Sequence, residues 1–217
     1  MNFNGEKVTF GLSPSCDFSG DIFRENNGEL TLILNTNIIP TSSHNLSFIK
    51  NIIAVSSIAI TIGLEWGDLN EQILSFKPPK GRCNVMNKNN FTIIDDTYNA
   101  NLISSLASLD YLKSFSENGR KIFVFGDMYE LGKSTKKQHH EVGLKCSELG
   151  IDLVYTLGVH SQHTNSAITK KIKNQHFSSK IELMSALRNE IQSGDTILLK
   201  GSRGMAMETI IEGVLKA

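Results

Sequence analysis

The stretch Lys121-Ile-Phe-Val-Phe-Gly-Asp-Met-Tyr-Glu-Leu-Gly132 passes from an apolar segment directly into glycine and acid. Short, apolar and rich in aromatic and β-branched side chains, Lys121 to Phe125 reads as a buried strand that ends at a turn. An amphipathic helix follows, with Val142, Cys146 and Leu149 on one stripe at spacings of three and four. The same grammar recurs on both sides. Strands are predicted at Phe91 to Asp95, Leu153 to Leu157 and Thr196 to Lys200, and Leu102, Leu106, Leu109 and Leu112 form a second helical stripe. Thr135-Lys-Lys-Gln138 and Ser179-Lys-Ile-Glu182 match the capping box, in which side chains satisfy orphan amides at a helix start. Alternating strand and helix predicts an α/β fold, a mostly parallel sheet with helices on both faces and ligands at the carboxyl ends of its strands.

Upstream, the grammar changes. Lys77-Pro78-Pro79-Lys80-Gly81 interrupts any helix, because proline lacks an amide donor and glycine frees the backbone. A boundary there divides the chain into residues 1–80 and 81–217. The first part opens β-rich: Val8 to Leu12 is strand-like, and Asp21 to Leu34 reads as a hairpin turning at Asn27-Gly28, with Leu30, Leu32 and Leu34 on one face. Helices are expected around Asn51 to Leu64 and Asp68 to Phe76.

Composition excludes several classes. The 217 residues carry 22 basic and 22 acidic side chains, a formal net charge of zero, so no global field attracts nucleic acid or an anionic membrane. The longest apolar run, Ile52 to Leu64, is broken by Ser56, Ser57 and Thr61 and falls short of the ~20 residues a membrane helix needs. No basic segment leads into an apolar one at the start, and a cytoplasmic location is the expectation. Cys16, Cys83 and Cys146 are too far apart for a disulfide framework or paired zinc ligands and read as reduced structural residues.

Three strand ends concentrate polar groups and glycine: Asp95-Asp96-Thr97-Tyr98-Asn99-Ala100-Asn101, Phe125-Gly126-Asp127-Met128-Tyr129-Glu130-Leu131-Gly132, and Lys200-Gly201-Ser202-Arg203-Gly204-Met205. Each alone is also what a tight strand-to-helix connection requires. All three on one sheet edge point to a site. Asp95 and Asp96 do not form an acid–base pair, because neighbours on a strand face opposite ways. His139 shares a face with Val142 and Cys146 and reads as a packing or capping residue. His160 and His163 have no nearby carboxylate or thiol, so no metal site is expected.

These motifs, with His139 following the second and Met-Ala-Met-Glu208 completing the third, resemble the Mur ligases of peptidoglycan synthesis, and among them the branch that adds D-Ala-D-Ala. The likeness runs from about Val8 to the C-terminus. It implies a C-terminal Rossmann-like domain over residues 81–217, preceded by a partial α/β central ATPase domain over 1–80. The implied reaction is ATP-dependent amide-bond formation: ATP phosphorylates the carboxylate of a UDP-MurNAc-tripeptide, and the amine of D-Ala-D-Ala attacks the acyl phosphate.

Residue roles follow from motif position. The resemblance gives Asn51 a contact with adenine, although its spacing from His44-Asn45 is longer than the family's. It gives Arg82 the nucleotide phosphates, a task suited to a permanently charged, fork-shaped donor, and Asp96 the ribose hydroxyls. Tyr98, Asn99 and Asn101 are implied to line the dipeptide pocket, with Ser202 and Arg203 on its carboxylate. Asp127 and Glu130 either steer the ammonium or charge the first turn of the next helix.

No residue is expected to catalyse. No Gly-x-x-x-x-Gly-Lys-Ser/Thr loop is present, so ATP phosphates and Mg2+ are expected to be held by a region upstream or by a separate N-terminal half, and turnover by this chain alone is not expected. The alternative is a non-catalytic binding module or partner subunit with the same fold. A nicotinamide oxidoreductase is disfavoured, since no Gly-x-Gly-x-x-Gly follows a strand.

Overall fold

The computed structural model describes residues 5–25, 29–41, 43, 46–76, 79–88, 90–115 and 119–216. The chain divides into two compact units, Met1–Lys77 and Pro78–Ala217.

In the first unit, β1 (Phe10–Gly11) pairs parallel with β2 (Phe18–Arg24), and β2, β3 (Leu30–Leu34) and β4 (Asn37–Pro40) form an antiparallel meander. Leu30, Leu32 and Leu34 are buried while Thr31 and Ile33 are only half-buried, the period-two pattern of a sheet with one covered face. The cover is α1 (Leu46–Thr61), whose Ile49, Ile52 and Ile53 join those leucines and Ile39 in one core. α2 (Trp66–Ser75) follows. α1 begins earlier than the apolar run predicts, and the strand at Val8 to Leu12 is paired only over two residues. The Asn27-Gly28 turn and His44-Asn45 lie outside the described residues.

The second unit is a six-stranded sheet in the order β5-β6-β10-β7-β8-β9. Its elements are β5 (Asn84–Lys88), β6 (Phe91–Asp96), α3 (Leu102–Ser114), β7 (Lys121–Gly126), α4 (Thr135–Leu149), β8 (Leu153–Leu157), α5 (Gln162–Ala167), β9 (Lys173–Phe177), α6 (Lys180–Glu190), β10 (Thr196–Lys200) and α7 (Glu208–Leu215). All neighbours are parallel except β5, which closes an antiparallel hairpin with β6. The last strand inserts between β6 and β7, and this sets three strand ends side by side.

Strand residues alternate between two cores. Ile122 and Val124 of β7 and Ile197 and Leu199 of β10 pack with Leu183, Leu187, Ile210 and Val214 of α6 and α7. Phe123, Phe125 and Leu198 face the other way, onto Leu109, Leu112, Val142 and Cys146 of α3 and α4. Helices on both faces explain why these strands read as continuous apolar runs. Burial of each phenylalanine, at 0% exposure, contributes about 1.5–3 kcal/mol.

Two helix starts differ from their sequence reading. Ser179 caps α6 by accepting from the Glu182 amide. Thr135, by contrast, follows a 3-10 turn over Gly132–Ser134 and donates its hydroxyl to the Gly132 carbonyl. A capping box that the sequence reading omits lies at α3: Asn101 Oδ1 accepts from the Ser104 amide and Ser104 Oγ from the Asn101 amide. The sequence reading also omits strands β5 and β9; Asn84-Val-Met-Asn-Lys88 and Lys173-Asn-Gln-His-Phe177 are edge strands in which only Phe177 is buried, and they lack an apolar run.

Candidate functional site

At the carboxyl edge of the sheet Lys200 pairs in register with Asp96 on one side and Phe125 on the other, so the three polar loops leave the sheet as neighbours. Two buried side chains bind them together. Lys200 Nζ, on a side chain 2% exposed, lies 2.6 Å from Asp96 Oδ2 and donates to the Asn99 carbonyl at 3.0 Å. Ser108 Oγ of α3 donates to the same Asp96 oxygen at 2.6 Å. The cation thus fixes the path of the loop from Thr97 to Asn101.

Ser202 performs the same task for the other two loops. Its amide donates to the Asp127 carbonyl at 2.9 Å, its Oγ accepts from the Tyr129 amide at 2.8 Å, and that hydroxyl reaches the Ala100 carbonyl at 3.5 Å. With 4% exposure, Ser202 ties the three loops together. Asp127 makes a further tie. It is 2% exposed, and its carboxylate accepts the amides of Val159, His160 and Ser161 at 2.7–2.9 Å. Both oxygens are engaged by backbone amides. The acceptor explains Gly158, at φ +119°, where a Cβ would stand 2.5 Å from the carboxylate.

His139 is fully buried and fixes the middle loop from below. Its Nδ1–H donates to the Thr135 carbonyl at 2.8 Å, and Nε2 accepts the Met128 amide at 3.0 Å. Both contacts require the neutral ring, and burial, more than any neighbouring charge, holds its pKa below the ordinary value. This is a packing and capping residue. Burial likewise pushes the Cys146 thiol up to about 12, and among the described residues no disulfide joins the cysteines.

What remains above these ties is polar and exposed: Tyr98, Asn99, Asn101, Glu130 and Arg203. Asn99 and Asn101 direct Oδ1 at the Ala100 and Ser104 amides. Glu130 adopts a left-handed backbone, φ 63°, which costs a non-glycine residue about 1–2 kcal/mol and lifts its carboxylate to the surface. Arg203 stands in a 3-10 turn, its side chain 61% exposed and one guanidinium nitrogen 2.6 Å from Glu208 Oε1. Glu208, Tyr129 and Lys200 were not among the expected site residues. Tyr129 packs its ring where a Cβ on Gly204 would lie 3.0 Å away, and its hydroxyl meets Met205 Sδ at 2.8 Å.

Arg82 stacks over the Tyr98 ring, 4.2 Å from its centroid, while the Tyr98 amide donates to the Gly81 carbonyl. Asn51 belongs to the first unit, on the exposed side of α1. Asp95 accepts from the Thr97 amide and hydroxyl, away from the Asp96–Lys200 pair. A shallow depression of about 410 Å³ lined by Asn87, Lys88, Asn90, Phe91 and Thr92 lies at the β5–β6 hairpin, the opposite end of the sheet.

The loop from Gly126 to Ser134 invites comparison with a phosphate cradle because it ends in Gly132-Lys133-Ser134. Five residues, Asp127 to Leu131, separate its glycines where the phosphate loop has about four. More decisively, the Met128, Tyr129 and Ser134 amides already donate to His139, Ser202 and the Leu131 carbonyl. Among the described residues no group of three His, Cys, Asp or Glu side chains is arranged to hold a metal ion. The amides of this loop are therefore already committed within the fold.

The geometry defines an open α/β domain with a loop-built polar edge at an inserted central strand. A family model described as Mur ligase, glutamate ligase domain matches residues 81–203. The chain belongs to the Mur ligase family. It is 31% identical over 216 residues to the UDP-N-acetylmuramoyl-tripeptide--D-alanyl-D-alanine ligase of Synechocystis, a match covering 98% of this chain and 46% of the relative. MurF from Acinetobacter baumannii superposes with a TM-score of 0.84 at 27% identity, covering 94% of this chain and 46% of that one. MurF from Thermotoga maritima, solved in complex with ADP, gives 0.79 at 26% identity over 94% and 47%. The chain spans about half the length of these relatives.

Proposed function

We propose that this chain is the C-terminal part of a cytoplasmic, ATP-dependent ligase that adds D-Ala-D-Ala to a UDP-MurNAc-tripeptide, and that it supplies the dipeptide-binding side of the site. The observation that carries this reading is the convergence of the three loops, tied by Lys200 and Ser202 beneath a rim of unlike polar groups. A zwitterionic dipeptide needs a cation at one end and acceptors at the other. Arg203 offers the first, with guanidinium N–H groups beyond the one facing Glu208. Glu130, Asn99, Asn101 and Tyr98 offer acceptors and a ring face. Asp127 and Ser202 serve as positioning residues for these groups.

Arg82 and Asn51 are the groups assigned to the nucleotide, with the ribose contact of Asp96 left to the oxygen not shared by Lys200 and Ser108. ATP phosphates and Mg2+ fall to a region equivalent to the part of the relatives that this chain does not match, whether continuous with it or separate. Residues 1–80 are assigned to the central ATPase domain and 81–217 to the C-terminal domain.

Isothermal titration of the chain with D-Ala-D-Ala tests the assignment. Binding that is abolished in Arg203→Ala while the fold is retained supports it. Equal heats from both proteins discard the carboxylate assignment, and robust ATP hydrolysis by the chain alone overturns the division of the site.

A further inference from the structure

The turn that carries Arg203 is tied down on both sides, and its guanidinium is the part that projects. Ser202 is buried ahead of it, Met205 and Met207 are buried behind it, and the Met205 and Ala206 amides donate to the Ser202 and Arg203 carbonyls. Ala206 sits in the left-handed region at φ 44°, a conformation that a residue with a Cβ keeps only where its surroundings hold it. Three donors do so. The Ala206 carbonyl accepts the Thr209 amide at 3.2 Å, the Thr209 hydroxyl at 2.8 Å and Lys180 Nζ of α6 at 3.0 Å. With the backbone fixed, the long arginine side chain, 61% exposed, is what remains to be ordered.

Glu208, the first residue of α7, meets it, with Oε1 2.6 Å from an Arg203 terminal nitrogen. The ordinary role of an acid at a helix start is to cap it. Among the described residues, however, this carboxylate bonds to Arg203 and to no amide of α7, and its Oε2 is buried without a hydrogen-bond partner. Stability alone does not account for that arrangement, because hiding an unpaired acceptor costs at least as much as an exposed ion pair contributes.

We infer that Glu208 is a positioning residue: it holds the Arg203 guanidinium in the orientation that receives a ligand carboxylate and leaves the other N–H groups of the fork for that carboxylate. The inference deepens the functional reading above and rests on it. The direction of the effect is diagnostic. A negative charge beside Arg203 weakens its attraction for an anion, so a role exerted through the field alone predicts tighter carboxylate binding once Glu208 is removed. Positioning predicts weaker binding, because the ligand must then order a loose side chain.

Isothermal titration of the full chain with D-Ala-D-Ala, in the wild type, Arg203→Ala, Glu208→Ala and Glu208→Gln, reads that direction. Glu208→Ala is expected to weaken binding about three- to tenfold. Glu208→Gln keeps an acceptor for the guanidinium and drops the opposing charge, so it should bind at least as tightly as the wild type. Thermal melts establish that both variants are folded, and glutamine, close to glutamate in shape, guards the comparison. With binding lost in Arg203→Ala, an affinity in Glu208→Ala equal to or tighter than wild type, or equal weakening by alanine and glutamine, would overturn the inference and leave the Arg203 assignment standing. No binding by the wild type, or equal heats from the wild type and Arg203→Ala, would overturn the functional reading and this inference together.

Discussion

Each end of the parallel sheet is held by an ion pair on a largely buried aspartate, yet the two are built differently. At the amino edge, Arg120 forks onto Asp195 and reaches the Glu190 carboxylate and carbonyl, while Lys173 takes the second Glu190 oxygen. Asp195 also accepts the Gln192 amide. That network is closed on itself. At the carboxyl edge Lys200 and Ser108 both converge on one oxygen of Asp96, and above them Asn99, Glu130 and Arg203 are exposed. A staple satisfies all its charges internally, whereas a binding edge hides its supports and leaves a second tier of polar groups free.

Substitutions sharpen the contrast, beginning with the largest expected effect. Lys200→Met leaves a buried Asp96 carboxylate without its cation and should cost about 3–5 kcal/mol in urea unfolding, abolishing dipeptide binding with it. A loss below 1 kcal/mol would mean that Asp96 finds solvent or another donor. Arg120→Met strips the partner from Asp195, itself 2% exposed, and is expected to cost about 2–3 kcal/mol while leaving dipeptide affinity intact. Affinity falling in step with stability would erase the distinction between the two ends.

Next comes pH. The His139 pKa is depressed in the folded protein, chiefly by burial, so the folded state binds fewer protons than the unfolded chain near the ordinary value. Stability is therefore complete above about pH 6.5 and is lost as pH falls below it, with a limiting slope of about 1.4 kcal/mol per unit for one such group. His176, depressed mainly by burial as well, acts in the same direction. Thermal melts between pH 7.5 and 5 check this, and His139→Gln should flatten the profile. The smallest stability effect belongs to Arg203→Ala, within about 0.5 kcal/mol because its ion pair is exposed. Its effect on ligand binding is the large one.

Much of this was legible in the sequence. The four apolar strands and the helices between them follow from period and composition, and the packing role of His139 follows from its stripe with Val142 and Cys146. Edge strands β5 and β9 escaped, because half-exposed polar strands carry no apolar signal. At the carboxyl edge, the sequence places polar groups at three strand ends but does not sort buried supports from exposed groups. Asp127 reads as a surface acid until its partners, 32 to 34 residues away, are known. Ser202 is hidden by a loop 73 residues earlier in the chain.

The comparison of the two sheet ends is best tested by mapping amide shifts in the NMR spectrum of the chain while D-Ala-D-Ala is added. Binding at the loop-built edge predicts joint perturbation of residues 97–101, 129–130 and 201–205, with the Arg120, Glu190 and Asp195 amides unmoved. Shifts confined to a single loop, or appearing at the amino edge, would contradict it.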